Sequence, residues 1–174
     1  AGRHRWHIFK IVGVSCLSLM VDILHALFLG PAQRYVLKVV WLLFIHNCFE
    51  CGQGSNEELD QLSLLRLNHA LQLWHKRPEV AARKFTEVRD LTMKKLGSRG
   101  KHTLLHFKAA ETKSLVYFVV ELLTVYWHRI RDGAELLKAG EGLARYIDRL
   151  RANGARPCDA YCNDLWADGI QFLE

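Results

Sequence analysis

Three prolines and twelve glycines in 174 residues leave this chain few backbone breakers. An all-β sandwich or barrel needs frequent turn residues, and their scarcity argues against one, all the more because most of the apolar residues recur at helical period. Five cysteines are an odd number, too few to staple a chain of this size. A disulfide scaffold and secretion are therefore disfavoured, and reduced thiols in a nuclear or other intracellular compartment are expected. No charged segment, short apolar core and small-residue cleavage site follow one another at the N-terminus, and the opening Ala1 reads as part of a longer chain. A glycine-rich phosphate loop is missing, as is a Gly-x-Ser-x-Gly elbow, so neither nucleotide hydrolysis of that type nor a serine nucleophile is indicated, and no small-molecule substrate is expected.

Long uncharged apolar runs are missing too. The stretch from Ile11 to Leu29 approaches a membrane span in length but contains Asp22 and His25, and Lys38 and Glu121 interrupt the other two candidates. A charge at the centre of a bilayer costs at least ~2.5 kcal/mol, so a buried protein core explains these runs with less strain than a membrane does.

What is present is an ordinary packed composition, 50% apolar and 24% charged, at a length close to the ~150 residues of one domain. The net charge of +6 is uneven. Between Lys76 and Lys108 ten basic residues face only three acidic ones. Such a stripe is either a solvated face or a surface for nucleic-acid phosphates, and in the second reading Arg83, Lys84, Lys94, Lys95, Arg99, Lys101 and Lys108 are the contacts.

Local signals divide the chain. Residues Ile11 to Met20 mix β-branched and small residues and predict a buried strand, with Asp22 at its exit. Pro31 suits the first turn of a helix that runs to Asn47. Ser55 with Glu58 forms a capping box for a helix reaching His75 along a stripe of Leu59, Leu62, Leu65, Leu67, Leu71 and Trp74. Pro78 opens another, carrying Val80, Phe85, Val88, Leu91 and Leu96 to Gly97. Further helical patterns cover Leu104 to Arg131 and Ala134 to Arg151, and a last short one lies between Asp159 and Glu174. The fold class is mostly α: a helical, bundle-like single domain over 1–174 with at most one or two short N-terminal strands. Residues 1–30 hold the strand and acidic motif, 31–103 a basic helical region, and 104–174 the C-terminal helices. Its core is expected around Leu17, Leu19, Leu27, Val36, Val40, Leu43, Leu115, Phe118, Val119 and Leu122.

Three groups of residues have chemical potential. Asp22-Ile-Leu-His25, followed by Gly30, places a carboxylate at a strand end, where it either ligates a cation or caps the next helix. Lys108-Ala-Ala-Glu111 opens a long apolar helix, and Glu111 there favours the positive end of the helix dipole. Cys48-x-x-Cys51 and Cys158-x-x-x-Cys162, with His46 nearby, have the ligand types of a zinc site. The two pairs are far apart and lack flanking knuckle glycines, so zinc is disfavoured and unrelated thiols preferred.

The first two groups, in this order, resemble a family pattern. Asp22-x-x-His25 with Leu29-Gly30 is similar to the "D-x-x-H-x-x-x-L-G" block of cut-and-paste DNA transposases with the RNase H-like DDE fold, and Phe107 to Leu123 resembles their "K-A-S-E" block, with Ala110 in place of Ser. The resemblance implies a partial RNase H-like fold interrupted by a helical insertion. It implies that Asp22 is the second catalytic aspartate and Glu111 the third acidic residue, together holding magnesium or manganese for DNA strand cleavage and transfer, with His25 supporting Asp22. DNA and a second copy of the chain are the implied partners. No residue here takes the place of the first catalytic aspartate. The alternatives are a non-catalytic helical interaction module, in which the same carboxylates only stabilise helix ends, and a membrane-associated helical protein.

Overall fold

A computed structural model of the chain describes residues 27–99, 107–152, 164 and 167–172. It is mostly α, and among the described residues there is no β-sheet. The expected strand over Ile11 to Met20, together with Leu17, Leu19, Asp22, His25, Lys101, Cys158 and Cys162, lies outside the described residues.

Helix α1 (Pro31–Ile45) begins on the expected proline, and Val36, Val39, Val40, Leu43 and Phe44 are among its buried residues. It stops where asparagine can turn left-handed: Asn47 has φ of 46°, its N–H donates to the Phe44 carbonyl (3.0 Å), and the Cys48 N–H donates to that of Leu43 (2.9 Å). Those two bonds make a Schellman ending. Helix α2 (Asn56–His75) starts at the capping box, with Glu58 N–H donating to Ser55 Oγ and Ser55 N–H to Glu58 Oε2.

The buried face of α2 differs from the expected stripe. Leu67, Leu71 and Trp74 are buried, but Leu62 and Leu65 are 45% and 66% exposed, and the inward positions one and two turns earlier belong to Ser63 and Asp60. The three-and-four spacing of 60, 63, 67, 71 and 74 is a better helical face than the leucines offered, and it is available because Arg99 neutralises Asp60.

A second difference follows Pro78. Instead of one helix to Gly97 there are two short ones, α3 (Pro78–Ala82) and α4 (Met93–Leu96), joined by a non-helical stretch. Lys84, at φ of 52°, breaks the helix. The stretch is then held by side chains of α2: the Asn68 amide both donates to the Leu91 carbonyl (2.8 Å) and accepts from its N–H (2.7 Å), and His75 Nε2 accepts from Val88 N–H (3.2 Å). Val88 and Leu91 are thereby buried without a helix beneath them.

Helix α5 (Ala109–Tyr126) packs against α1 on one side and α6 (Gly133–Ala152) on the other. It is shorter than the expected Leu104 to Arg131, because a 3-10 turn over Trp127–Arg129 and Asp132 at φ of 57° reverse the chain. A Cβ at Gly133 would overlap the Trp127 carbonyl, so glycine is required in that corner. Buried polar atoms tie the helices: Gln33 Nε2 donates to the Phe107 carbonyl (3.0 Å), Trp41 Nε1 to that of Leu96 (3.0 Å), and the Tyr35 hydroxyl to that of Leu136 (2.9 Å). Val36, Val40, Leu43, Leu115, Phe118 and Val119 are buried as expected, while Leu27 and Leu122 sit partly buried at the margin of the same cluster. No helix among the described residues is long and apolar enough to cross a membrane.

Candidate nucleic-acid interface

Pairing sorts the basic residues between Lys76 and Lys108 into two kinds. Three of the four arginines are engaged with carboxylates far away in sequence: Arg77 with Glu121, Arg83 with both oxygens of Asp148 (2.8 and 2.7 Å), and Arg99 with Asp60 (2.6 Å at the shortest). At Arg99 the planar guanidinium engages Asp60 through both Nε and Nη2, a two-point match that lysine cannot make, whereas Arg83 meets both oxygens of Asp148 through Nη2 alone. Lys76, Lys84, Arg89, Lys94 and Lys108 are exposed and form no ion pair among the described residues. Lys95 makes no carboxylate contact either; its Nζ donates to the Asp90 carbonyl (3.0 Å) and lies 5.4 Å from the Phe107 ring centre.

The sequence-derived contacts thus fall apart into distinct places. Arg99 is committed to the partly buried pair with Asp60, which is 6% exposed, and also touches Asn56. Lys84 directly follows α3, Lys94 and Lys95 belong to α4, and Lys108 immediately precedes α5. Lys95 and Lys108 flank Phe107, whereas Arg83 lies elsewhere, over the rings of Tyr117 (4.5 Å to the centre) and Phe85 (5.4 Å).

Around Arg83 the fold assembles cations that the sequence did not single out. Asp148, on α6, accepts from Arg83 Nη2 with both oxygens and also from the Tyr117 hydroxyl (2.7 Å). Arg151, one helical turn on, donates to the Arg83 backbone carbonyl (3.3 Å). Lys113, one turn before Tyr117 on α5, feels all of them. Its ammonium pKa is lowered, first by partial burial and then by Arg151 and Arg83, with Asp148 opposing. Burial, reinforced by the Asp148 hydrogen bond, pushes the Tyr117 phenol pKa up, so that it remains a donor. Of these three cations Arg83 alone is bonded to the Asp148 carboxylate. Lys113 is the only cation on α5, and that isolation was the available signal; Asp148 and Arg151 stand 65 or more positions from Arg83 and had none.

Of the acidic pair, Glu111 is described. Its Oε2 accepts the Lys108 N–H (2.9 Å), closing the first turn of α5, and no hydrogen bond to Oε1 is formed among the described residues. One carboxylate beside a lysine does not itself hold a divalent ion; a site there requires Asp22. Cys48 is buried in the core and Cys51 Sγ lies 3.4 Å from Ser63 Oγ, so these two thiols are occupied in packing.

Compared with protein-family models, curated proteins and solved structures, the chain matches none.

Proposed function

We propose that this chain is a helical DNA-binding part of a DDE transposase-like protein acting in the nucleus or another intracellular compartment, and that its basic region grips the phosphate backbone without reading base sequence. One observation supports the binding half: the basic residues split into stitched arginines and uncommitted, mostly exposed cations. A surface evolved only for solubility has no reason to leave six cations in one segment facing only Glu79, Glu87 and Asp90. Side chains free of carboxylates bring condensed counterions off DNA without first breaking a bond of their own.

The transposase half rests on the sequence blocks around Asp22 and Glu111. In it the two carboxylates would hold magnesium or manganese, which when bound polarises a phosphodiester and lowers the pKa of water. Glu111 keeps one oxygen available for this while the other fixes its orientation through the Lys108 amide. That same bond favours the second reading, a non-catalytic helical module, because capping α5 is a sufficient role for Glu111.

Two measurements on the full chain test these halves. Affinity for a DNA duplex of arbitrary sequence should fall steeply with salt, and Lys84→Ala, Lys94→Ala and Lys108→Ala together should flatten the slope of log affinity against log salt by about three units. An unchanged slope rejects the interface. A rise in melting temperature with Mn²⁺ that disappears in Asp22→Asn supports the metal-binding pair, and no Mn²⁺ response in the wild type leaves the non-catalytic module.

A further inference from the structure

We propose that Arg83, Lys113 and Arg151 form a phosphate-binding site, with Asp148 as a built-in competitor that holds Arg83 until a phosphate arrives. The inference rests on the nucleic-acid reading above and locates one backbone phosphate within it, away from the lysines that sequence alone marks.

The geometry is convergent. The three cations come from the end of α3, from α5 and from α6; Arg151 is tied to Arg83 through the latter's backbone carbonyl, and of the three side-chain charges Arg83's is the one paired, with Asp148. Arg151 is steered by the backbone carbonyl of Arg83, and the Arg83 guanidinium lies over the Tyr117 ring, 4.5 Å from its centre. Asp148 is fixed by Tyr117 as well as by Arg83, so its carboxylate stays put if the guanidinium turns away. The pair is about half exposed, at 41% for Arg83 and 46% for Asp148, and exposed pairs contribute little net stability, so exchanging one anion for another around Arg83 is a small change for the fold.

Charge then selects the ligand. Three cations and one carboxylate leave an excess of two positive charges, which suits a phosphodiester or a phosphate monoester better than a single carboxylate. Lys113 stands one turn before Tyr117 on the same face of α5, the tyrosine that carries Arg83 over its ring and binds Asp148; partial burial and the two guanidiniums disfavour its protonated form, and an anion placed among the three groups relieves that repulsion. The occupant favoured is a nucleic-acid phosphate, because Lys84 is adjacent to Arg83 in sequence and, like it, exposed, and so extends the positive surface in a way a small free anion does not need.

The competitor gives the test its direction. In Asp148→Asn the amide oxygen still accepts from Tyr117, but the carboxylate charge and the second bond that hold Arg83 are lost, so duplex affinity should rise and the salt slope should steepen by about one unit. In Lys113→Gln/Arg151→Gln affinity should fall and the slope flatten by up to about one unit, the contribution of one phosphate contact, with the melting temperature of each variant recorded beside it. A merely structural Asp148 predicts the opposite for Asp148→Asn, a loss of melting temperature with no gain in affinity, and that result overturns the site. So does a double variant that binds duplex as the wild type does. Titration with inorganic phosphate separates the sources: stabilisation by millimolar phosphate that depends on Lys113, without any duplex binding, overturns the assignment to nucleic acid. If the wild type binds neither probe, the broader nucleic-acid reading falls; if it binds duplex and only the cluster variants are silent, the failure belongs to this site alone.

Discussion

Replacing Gly140 by alanine sets helix propensity against packing. Gly140 lies in the middle of α6, where alanine ordinarily gains about 1 kcal/mol over glycine. At this position the added methyl would overlap the Tyr35 hydroxyl and stand only 2.7 Å from both the Tyr35 Cζ and the Val120 Cγ2. Tyr35 cannot simply swing aside: it is 6% exposed, its hydroxyl donates to the Leu136 carbonyl one turn away on the same helix, and its ring meets Phe172 edge-on at 5.9 Å. Relief therefore requires α6 to move off α1 and α5 or the tyrosine to give up its hydrogen bond. Overpacking costs roughly 1 to 3 kcal/mol and the lost bond about 1 more. After subtracting the propensity gain, the net loss is about 1 to 3 kcal/mol, or some 2 to 4 °C of melting temperature per kcal/mol for a domain of this size. The control is Gly169→Ala, where a Cβ meets nothing closer than 3.8 Å and should be neutral or mildly stabilising. Adding Tyr35→Phe to Gly140→Ala removes the hydroxyl overlap but not the ring and Val120 contacts, so the glycine substitution should cost less in that background without becoming free. Thermal scans of the four variants decide it. A Gly140→Ala protein that melts at or above the wild type would refute the close packing of α1 against α6.

Two other outcomes follow from the pairs that hold the chain together. Arg99→Ala should cost about 3 kcal/mol by chemical denaturation, because it strands the buried Asp60 carboxylate, while leaving the salt dependence of DNA binding alone; a flattened salt slope without loss of stability would return Arg99 to the interface. His75 has its pKa lowered, mainly by partial burial and against the pull of Glu87, and as a neutral ring it accepts the Val88 N–H. Because the folded pKa lies below the unfolded value of about 6.5, the unfolded chain takes up the proton first, so this contribution is complete above that pH and is lost as pH falls from there towards the folded value. A melting-temperature profile over that window should be flatter in His75→Gln than in the wild type, and identical profiles would show that His75 contributes nothing to the pH dependence of stability.

The contrast between what could and could not be read from the sequence has a physical cause. Pro31, the Ser55–Glu58 box, the asparagine ending of α1 and the turn before Gly133 act over a few residues, so their geometry was implicit in their spacing. The stretch after Lys84 was misread because Val80, Phe85, Val88 and Leu91 also satisfy a loose helical period. What decides against helix there is Asn68 and His75, two side chains on another helix that meet the backbone of Val88 and Leu91. The exposed face of Leu62 and Leu65 was misread for a related reason: leucine marks a core only on average, and Asp60 could displace it from the inward face once Arg99 had been folded against it. The candidate interface shared this limit. A run of basic residues was visible, yet which of them remained free was fixed by Glu121, Asp148 and Asp60, none of which lies within the run.

That division also changes what the net charge means. A guanidinium bonded to a carboxylate presents a dipole to the surroundings, and its field at the distance of an approaching duplex, screened further over ~10 Å by salt, is small beside that of an unpaired ammonium. The paired arginines therefore contribute to the formal charge of +6 without steering DNA in proportion. In the proposed interface, long-range attraction would fall to Lys76, Lys84, Arg89, Lys94, Lys95 and Lys108, which at roughly 0.9 units of salt slope per phosphate contact would supply a slope of at most about five from the described part of this segment. Arg83 belongs to both groups in turn. Paired with Asp148 it is a stitch between α3 and α6, and under the proposal it would become a phosphate ligand only when an anion close enough to Lys113 and Arg151 outcompetes that carboxylate. An encounter driven by the free lysines would thus precede, and energetically support, the exchange at Asp148, so a steeper salt slope in Asp148→Asn than in the wild type is the signature of a cation that the resting fold keeps in reserve.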